Sequence, residues 1–562
     1  MKNIFHVLLV LLLSACAASP GREQGNSTPP GWAVASASPL ATKAGMEMLS
    51  RGGNAFDAAV AVTAALAVVE PYSSGLGGGG FWLIHREKDG YETMIDGRET
   101  TPLKGSKDMY LDKKGDVIPD LSMNGALAAG IPGVPAAIVH LSKKYGKLSL
   151  KEQLAPAIRY AKEGFEVDSR YIRRARFRKN ILAKFPDSKR IFLVDGEVPP
   201  EGSVIKQPDL AVTLEAIAKK GRDGFYKGAV ARQLIRGVNS AGGIWTQEDL
   251  DKYNVVERKP IYGEYNGMKI TSASPPSSGG IALVEMFNVL SGFDLEKSDA
   301  VTRKHLIIEA MRRAYRDRAI YLGDPKFVKM PVDMLTSPFY AAGLRASIRK
   351  DTIIPSKMLP GIPPDKEGFH TTHFSVLDAD GNRVSATVTI NYPFGSALVV
   401  PGTGVLLNDE MDDFSAKPGV PNAYGLVGAK ANAIAPGKRP LSSMTPTFLE
   451  TKNRLAILGT PGGSRIITMV MIGALDFLAG NGPESWVSKG RYHHQYLPDL
   501  VQYEKDALTA KEIRGLEAMG YKLKQIPWRY GNMQAILWDK KNNIISAASD
   551  PRGVGSAQTN IK

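Results

Sequence analysis

Two hydrophobic periods divide this chain. From residue 39 to 70 apolar side chains recur at helical spacing, with Leu40, Ala44, Met46 and Leu49 in one run and an Ala/Val-rich stretch from Ala55 to Val69 in the next. Gly52-Gly53-Asn54 separates them, and Asn54 is placed to cap the second helix. Between 125 and 345 further helical runs alternate with glycine and proline breaks, among them Leu150–Glu163, Leu210–Lys220 and His305–Leu322. From 371 the period becomes two. Phe374 and Val376, then Val384, Ala386, Val388 and Ile390, alternate with polar residues on either side of Asp378-Ala-Asp-Gly-Asn382, which has turn chemistry. Arg454–Leu458 and Ala535–Trp538 read as further strands. Helical runs first and a strand-rich part later predict a layered α+β fold around stacked sheets.

The N-terminus carries a third pattern. Lys2 precedes an apolar run from Ile4 to Leu13, too short to span a bilayer but of signal-peptide length. It ends in Leu13-Ser14-Ala15-Cys16, and Cys16 is the one cysteine of the sequence. That string resembles a bacterial lipobox, which implies that residues 1–15 are a signal peptide and that Cys16 is lipidated. Residues 16–32, rich in small and polar side chains, read as a tether. With no aspartate at position 17, the resemblance points to an exported, periplasmic protein held at the outer membrane by its lipid anchor alone.

Composition removes several classes. A chain of 562 residues with 43% hydrophobic and 23% charged residues is not disordered, collagen-like or coiled-coil. One cysteine excludes an intramolecular disulfide, a Cys-rich zinc site and an iron–sulfur cluster. The 71 basic and 56 acidic residues give a net charge of +15, yet no nucleic-acid-binding signature accompanies the excess, so no nucleic-acid partner is expected. Its visible concentration, Arg170, Arg173, Arg174, Arg176, Arg178 and Lys179, reads as a solvated helix face. The glycine run Gly75–Gly80 follows a helix and precedes a strand, the reverse of the dinucleotide-binding order, and reads as a close-packed turn. His493 and His494 would point to opposite faces of a strand and read as structural.

The chemistry concentrates in 371–391. If the hairpin turns near Asp380, Thr371 lies across from Thr389 within a residue or so, and two hydroxyls meet at its mouth. Plain β-propensity would also put threonines there, so spacing alone does not decide.

Spaced strings around the hairpin carry more. Thr371-Thr-His-Phe-Ser-Val376, Asn408-Asp-Glu-Met-Asp-Asp-Phe414, Pro440-Leu-Ser-Ser-Met444 and Gly459-Thr-Pro-Gly-Gly-Ser-Arg465 stand downstream. Upstream are Ser74–Phe81, Pro276-Ser-Ser-Gly-Gly280 and the run from Glu309 to Pro325. Together they resemble the γ-glutamyltransferase family over residues 33–560. The resemblance implies a four-layer αββα N-terminal-nucleophile hydrolase fold. It implies one inactive chain that cuts itself between His370 and Thr371 into a large subunit (33–370) and a small subunit (371–562), kept together as a heterodimer. Thr371 would be the nucleophile, with its new α-amine as base, and Thr389 would orient it. Arg98 would pair with the substrate α-carboxylate, supported by Ser442 and Ser443. Asn391, Glu410 and Asp413 would receive the α-ammonium, and Gly462 and Gly463 would form the oxyanion hole. Tyr424, in a loop-like stretch from 418 to 428, would belong to a lid. Glutathione and related γ-glutamyl compounds are the implied donors, water or an amino acid or peptide the acceptor, with no cofactor and no metal.

The sequence departs from many relatives at Gly490-Arg-Tyr-His-His-Gln495 and at Asp409, where some have asparagine. Neither position has a catalytic role in this reading. Two other readings stay open here. One is a β-lactam side-chain (glutaryl) acylase on the same fold, the other an uncleaved, non-catalytic envelope lipoprotein.

Overall fold

The computed structural model describes residues 28–358, 371–417, 420, 422, 426 and 428–561. The signal segment, Cys16, His370 and Tyr424 lie outside the described residues.

Asn54 starts its helix as its type predicts. Its side-chain oxygen accepts from the N–H groups of Phe56 at 2.9 Å and Asp57 at 3.0 Å, while Asp57 accepts from the N–H of Asn54 at 2.7 Å. In chain order the principal helices are α1 (Pro39–Ser50), α2 (Ala55–Val69), α3 (Leu150–Glu163), α4 (Ser169–Leu182), α5 (Pro208–Lys220), α6 (Gly279–Leu290), α7 (Ala300–Tyr321) and α8 (Ile466–Leu478). Every residue of α2 is buried, because its small Ala and Val side chains let neighbouring helices and a sheet close on all sides.

A seven-stranded sheet and a six-stranded sheet stack between helical layers. The strands are β1 (Gly31–Ser36), β2 (Gly79–Arg86), β3 (Tyr91–Asp96), β4 (Val256–Arg258), β5 (Ile261–Tyr265), β6 (Met268–Ser272), β7 (Thr372–Leu377), β8 (Arg383–Thr389), β9 (Thr447–Glu450), β10 (Arg454–Gly459), β11 (Gln534–Asp539), β12 (Ile544–Ser549) and β13 (Ser556–Ile561). The first sheet runs β13-β1-β7-β8-β2-β3-β4 and the second β12-β11-β10-β9-β6-β5. Helices α1 and α2 cover the first sheet; α6 and α8 cover the second. The expected α+β layering is present, with one correction. Strands are not confined to the later part of the chain, since β1 to β6 precede residue 371 and enter both sheets. Hairpin β7–β8 is paired on one edge with β1 and on the other with β2.

That hairpin is buried on both faces. Phe374, Val376, Val384, Ala386 and Val388 join the core that includes α1 and α2. The opposite face, His373, Ser375, Ser385 and Thr387, meets the second sheet through hydrogen bonds. Ser385 Oγ donates to Leu458 O at 3.0 Å and accepts from Thr447 N–H at 3.0 Å, and Ser375 Oγ donates to Gln534 O at 3.1 Å. Burial draws His373 down to about 3, so its ring is neutral beside Thr387. The alternation read as strand is real, but its polar positions are pairing partners and not a wet face.

The arginine run is also corrected. Arg173 and Arg176 are exposed on α4, whereas Arg170 and Arg178 are buried, over the rings of Tyr72 and Tyr392. His493 and His494 are buried and bonded to Thr468 and Asp499 respectively. Among the described residues no helix is long and apolar enough to cross a membrane.

Candidate active site

Asp378 fixes the hairpin whose open end is the site. Its carboxylate accepts from the backbone of Asp380 and Asn382 and, at 2.9 Å, from Ala55 N–H at the start of α2. The resulting register pairs Leu377 with Arg383 and Thr372 with Val388, which sets Thr371 level with Thr389. Their hydroxyls are 3.4 Å apart, and both residues are buried. Asn391 N–H donates to Thr389 Oγ1 at 2.8 Å, leaving the Thr389 hydroxyl proton available to Thr371.

Just past the hairpin, Asn391 adopts φ 71°, a left-handed conformation that asparagine tolerates. Its side-chain amide donates to Asp409 O at 3.0 Å, and Asp409 Oδ1 accepts from Tyr392 N–H at 2.9 Å. Asn408 bonds to the carbonyls of Gly77 and Gly130 and receives Glu410 N–H at 3.0 Å. The short 3-10 turn Glu410–Asp413 is thereby fixed beside the glycine run.

Arg98 is the electrostatic centre. It is 1% exposed and forms ion pairs with Glu410 at 2.7 Å, with Asp413, and with Glu99 at 3.6 Å. Its Nε donates to Pro440 O at 3.2 Å, in the string that continues to Ser442 and Ser443. Burial opposes the charge on Arg98, but Glu410, Asp413 and Glu99 outweigh it and hold the guanidinium protonated. Burial raises all three carboxylates, and the charge of Arg98 pulls each of them the other way. Glu99, farther away, is pushed up to about 8 by burial.

The remaining walls are backbone turns. Ser442 Oγ accepts from Met444 N–H at 3.1 Å, which leaves its own proton for a ligand, and Ser443 Oγ has no hydrogen-bond partner among the described residues. Gly462 and Gly463 have φ values of 146° and 57°, a turn that suits glycine, directly ahead of α8. Thr371, Thr389, Asn391, Arg98, Glu410, Asp413, Ser442, Ser443 and Gly463 all line one cleft; Gly462 adjoins it without lining it. The cleft is narrow, with about 20 Å³ of room for water. The sequence reading missed Arg318, Leu426, Met444 and Ile466, which also line it. Leu426 belongs to the 418–428 stretch, and Asn422 from the same stretch donates to Asp413 Oδ1 at 3.3 Å.

The glutathione hydrolase proenzyme of Escherichia coli (strain K12) is 42% identical over 532 residues, covering 93% of this chain and 90% of its own. That of Pseudomonas sp. (strain A14) is 44% identical over 499 residues, 87% of this chain and 86% of its own. Among solved structures, cephalosporin acylase from Bacillus halodurans superposes with a TM-score of 0.82 at 28% identity over 98% of this chain and 99% of that one. Helicobacter pylori gamma-glutamyltranspeptidase superposes with a TM-score of 0.56 at 43% identity, over 57% of this chain and 93% of that one. The gamma-glutamyltranspeptidase family model matches residues 41–559, and the chain belongs to that family.

Proposed function

We propose that this protein is a γ-glutamyltransferase and glutathione hydrolase that matures by cutting itself before Thr371. One observation carries the reading: a buried threonine hydroxyl and a cluster of one guanidinium with two carboxylates share a single cleft. A zwitterionic γ-glutamyl head fits that charge pattern. Its α-carboxylate takes the fork of Arg98 and the hydroxyl protons of Ser442 and Ser443. Its α-ammonium takes Glu410, Asp413 and the Asn391 side chain.

In maturation the Thr371 hydroxyl attacks the His370 carbonyl, its proton passes to the departing nitrogen as the C–N bond breaks and frees the Thr371 α-amine, and water then hydrolyses the ester to restore the hydroxyl and leave a carboxylate on His370. In turnover that amine accepts the hydroxyl proton as Oγ1 attacks the γ-carbonyl, then passes it to the departing amine of Cys-Gly. The α-amine pKa, about 7.7–8.0, suits both transfers near neutral pH. Gly462 and Gly463 N–H groups receive the developing oxyanion. Water, or the amine of an amino acid or peptide, then releases the γ-glutamyl group. The products of maturation are a large subunit (33–370) and a small subunit (371–562). Their separation is opposed by β7 and β8, which pair on both edges with large-subunit strands.

The glutaryl acylase alternative uses less of the site, since a glutaryl head has no ammonium for Glu410 and Asp413. Steady-state kinetics with glutathione, with and without a dipeptide acceptor, tests the proposal. Glutamate release and a new γ-glutamyl dipeptide are expected; turnover of a glutaryl amide but not of glutathione would contradict it. The address belongs to the proposal too. Export, lipidation at Cys16 and outer-membrane anchoring rest on the sequence string, and Cys16→Ser should move the protein from the membrane fraction to the soluble one.

A further inference from the structure

The mechanism above leaves one charged group in the cleft without a task. Arg318, on α7, is buried and lines the cleft with Arg98, Asp413 and Ser442. Its one side-chain hydrogen bond among the described residues runs from Nε to Ser278 Oγ at 3.0 Å. Ser278 in turn donates to Ser442 O through both Oγ at 2.7 Å and N–H at 2.8 Å. The guanidinium is thus tied to the Ser442–Ser443 turn and faces the acidic side of the pocket.

We propose that Arg318 is a specificity-determining residue, the standing counter-charge to Asp413 and the anchor of the Ser442 turn, which tunes the pocket to an acyl head bearing an ammonium. The proposal rests on the γ-glutamyl reading of this cleft. Without ligand, Arg98 serves Glu410 and Asp413 together. A bound α-carboxylate claims the Arg98 fork and draws its charge from Asp413, which leaves Arg318 as the protein cation that favours the ionised form of Asp413 as the ammonium arrives. The titratable groups acting on Asp413 are Arg98, Arg318, Glu410, Glu99 and Asp409, and the two arginines are its cations among the described residues, so removing Arg318 leaves it Arg98 alone. Asp413 would then bind a proton more readily and lose its use as an acceptor. Burial draws Arg318 down to about 10, which leaves it charged at neutral pH.

The test compares Arg318→Gln, Arg318→Lys and Ser278→Ala with the wild type on a γ-glutamyl anilide and on the glutaryl anilide that lacks only the ammonium. Self-cleavage on SDS–PAGE reports folding of each. Arg318→Gln should move the acid limb of kcat/KM for the γ-glutamyl donor upward by about one pH unit. It should also lower the preference for γ-glutamyl over glutaryl by roughly ten-fold or more. Arg318→Lys should restore most of the limb, because it keeps the charge. Ser278→Ala keeps the charge and loosens only the tether, so it should raise donor KM several-fold with the limb in place; it carries the test if the Gln variant does not fold. Equal behaviour of Gln and Lys, an unmoved limb with unchanged preference, or a rise confined to the KM of a dipeptide acceptor would each overturn the proposal. A wild-type enzyme inactive on the γ-glutamyl donor would overturn the reading of the cleft itself, and a normal wild type with indifferent variants would overturn Arg318 alone.

Discussion

The carbonyl oxygen of Thr389 lies 2.0 Å from where a Cβ on Gly78 would stand. The glycine run and the hairpin are therefore in backbone contact, and the position of the Thr389 hydroxyl depends on the absence of a side chain on the neighbouring chain segment. Gly78→Ala should push Thr389 away from Thr371, because the clash is with backbone and cannot be relieved by a rotamer. Overpacking of this kind costs about 1–3 kcal/mol. Thermal melts should show that loss, and kcat should fall by at least roughly ten-fold in the folded fraction. Gly343→Ala is the control, since a Cβ there meets nothing within 4 Å.

Arg98→Lys keeps a charge but gives up the fork and the donation to Pro440 O. A charge-assisted hydrogen bond contributes roughly 1.5–3 kcal/mol, so KM for γ-glutamyl donors should rise roughly ten- to a hundred-fold while self-cleavage survives. Donor kinetics and SDS–PAGE measure the two effects, and an unchanged KM would remove Arg98 from the binding site.

Much of this site was legible in the sequence, and the hairpin shows why. Asp378 and Asn382 fix the turn, the turn fixes the register, and the register brings Thr371 to Thr389 with no tertiary information. Arg98, Glu410 and Ser442 could be placed together only by their resemblance to a family, since they are distant in the chain and meet through loops. Arg318 was not legible at all. Helix α7 carries Arg312, Arg313, Arg316 and Arg318, and only the rotation of that helix against the cleft separates the one that lines the pocket from the pair bound to Glu309. The arginines of α4 were misread for a related reason. Cations that stack on Tyr72 and Tyr392 look, in sequence, the same as cations in water.

Asp409 predicts a pH dependence. Burial raises its carboxyl well above the usual range, with Arg178 pulling the other way, and its Oδ2 has no hydrogen-bond partner among the described residues. The folded chain therefore keeps a proton that the unfolded chain loses near 3.9, so stability falls as pH rises through and above that value. Asp409→Asn preserves the bond from Tyr392 N–H and removes the charge. Denaturant melts should find the variant equal to wild type near pH 4 and more stable at pH 8, by roughly 1–3 kcal/mol. Parallel wild-type and variant curves across that range would refute the assignment.

The stretch 418–428 bears on access. Asn422 bonds to Asp413 and Leu426 lines the cleft, so shortening this stretch around Tyr424 should admit bulkier acyl chains. A panel of acyl anilides checks this, and an unaltered substrate profile would count against a lid.

Every step of turnover proposed here depends on Thr371 becoming an N-terminus. Thr371→Ala should give a folded single chain with no γ-glutamyl activity, whereas Thr372→Ala, whose hydroxyl is one residue too late, should still be cut. The most direct measurement is Edman sequencing of the smaller band from purified wild-type protein. The account predicts Thr-Thr-His-Phe at the start of a fragment of 192 residues, 371–562. An uncut chain, or a first residue other than Thr371, would contradict it.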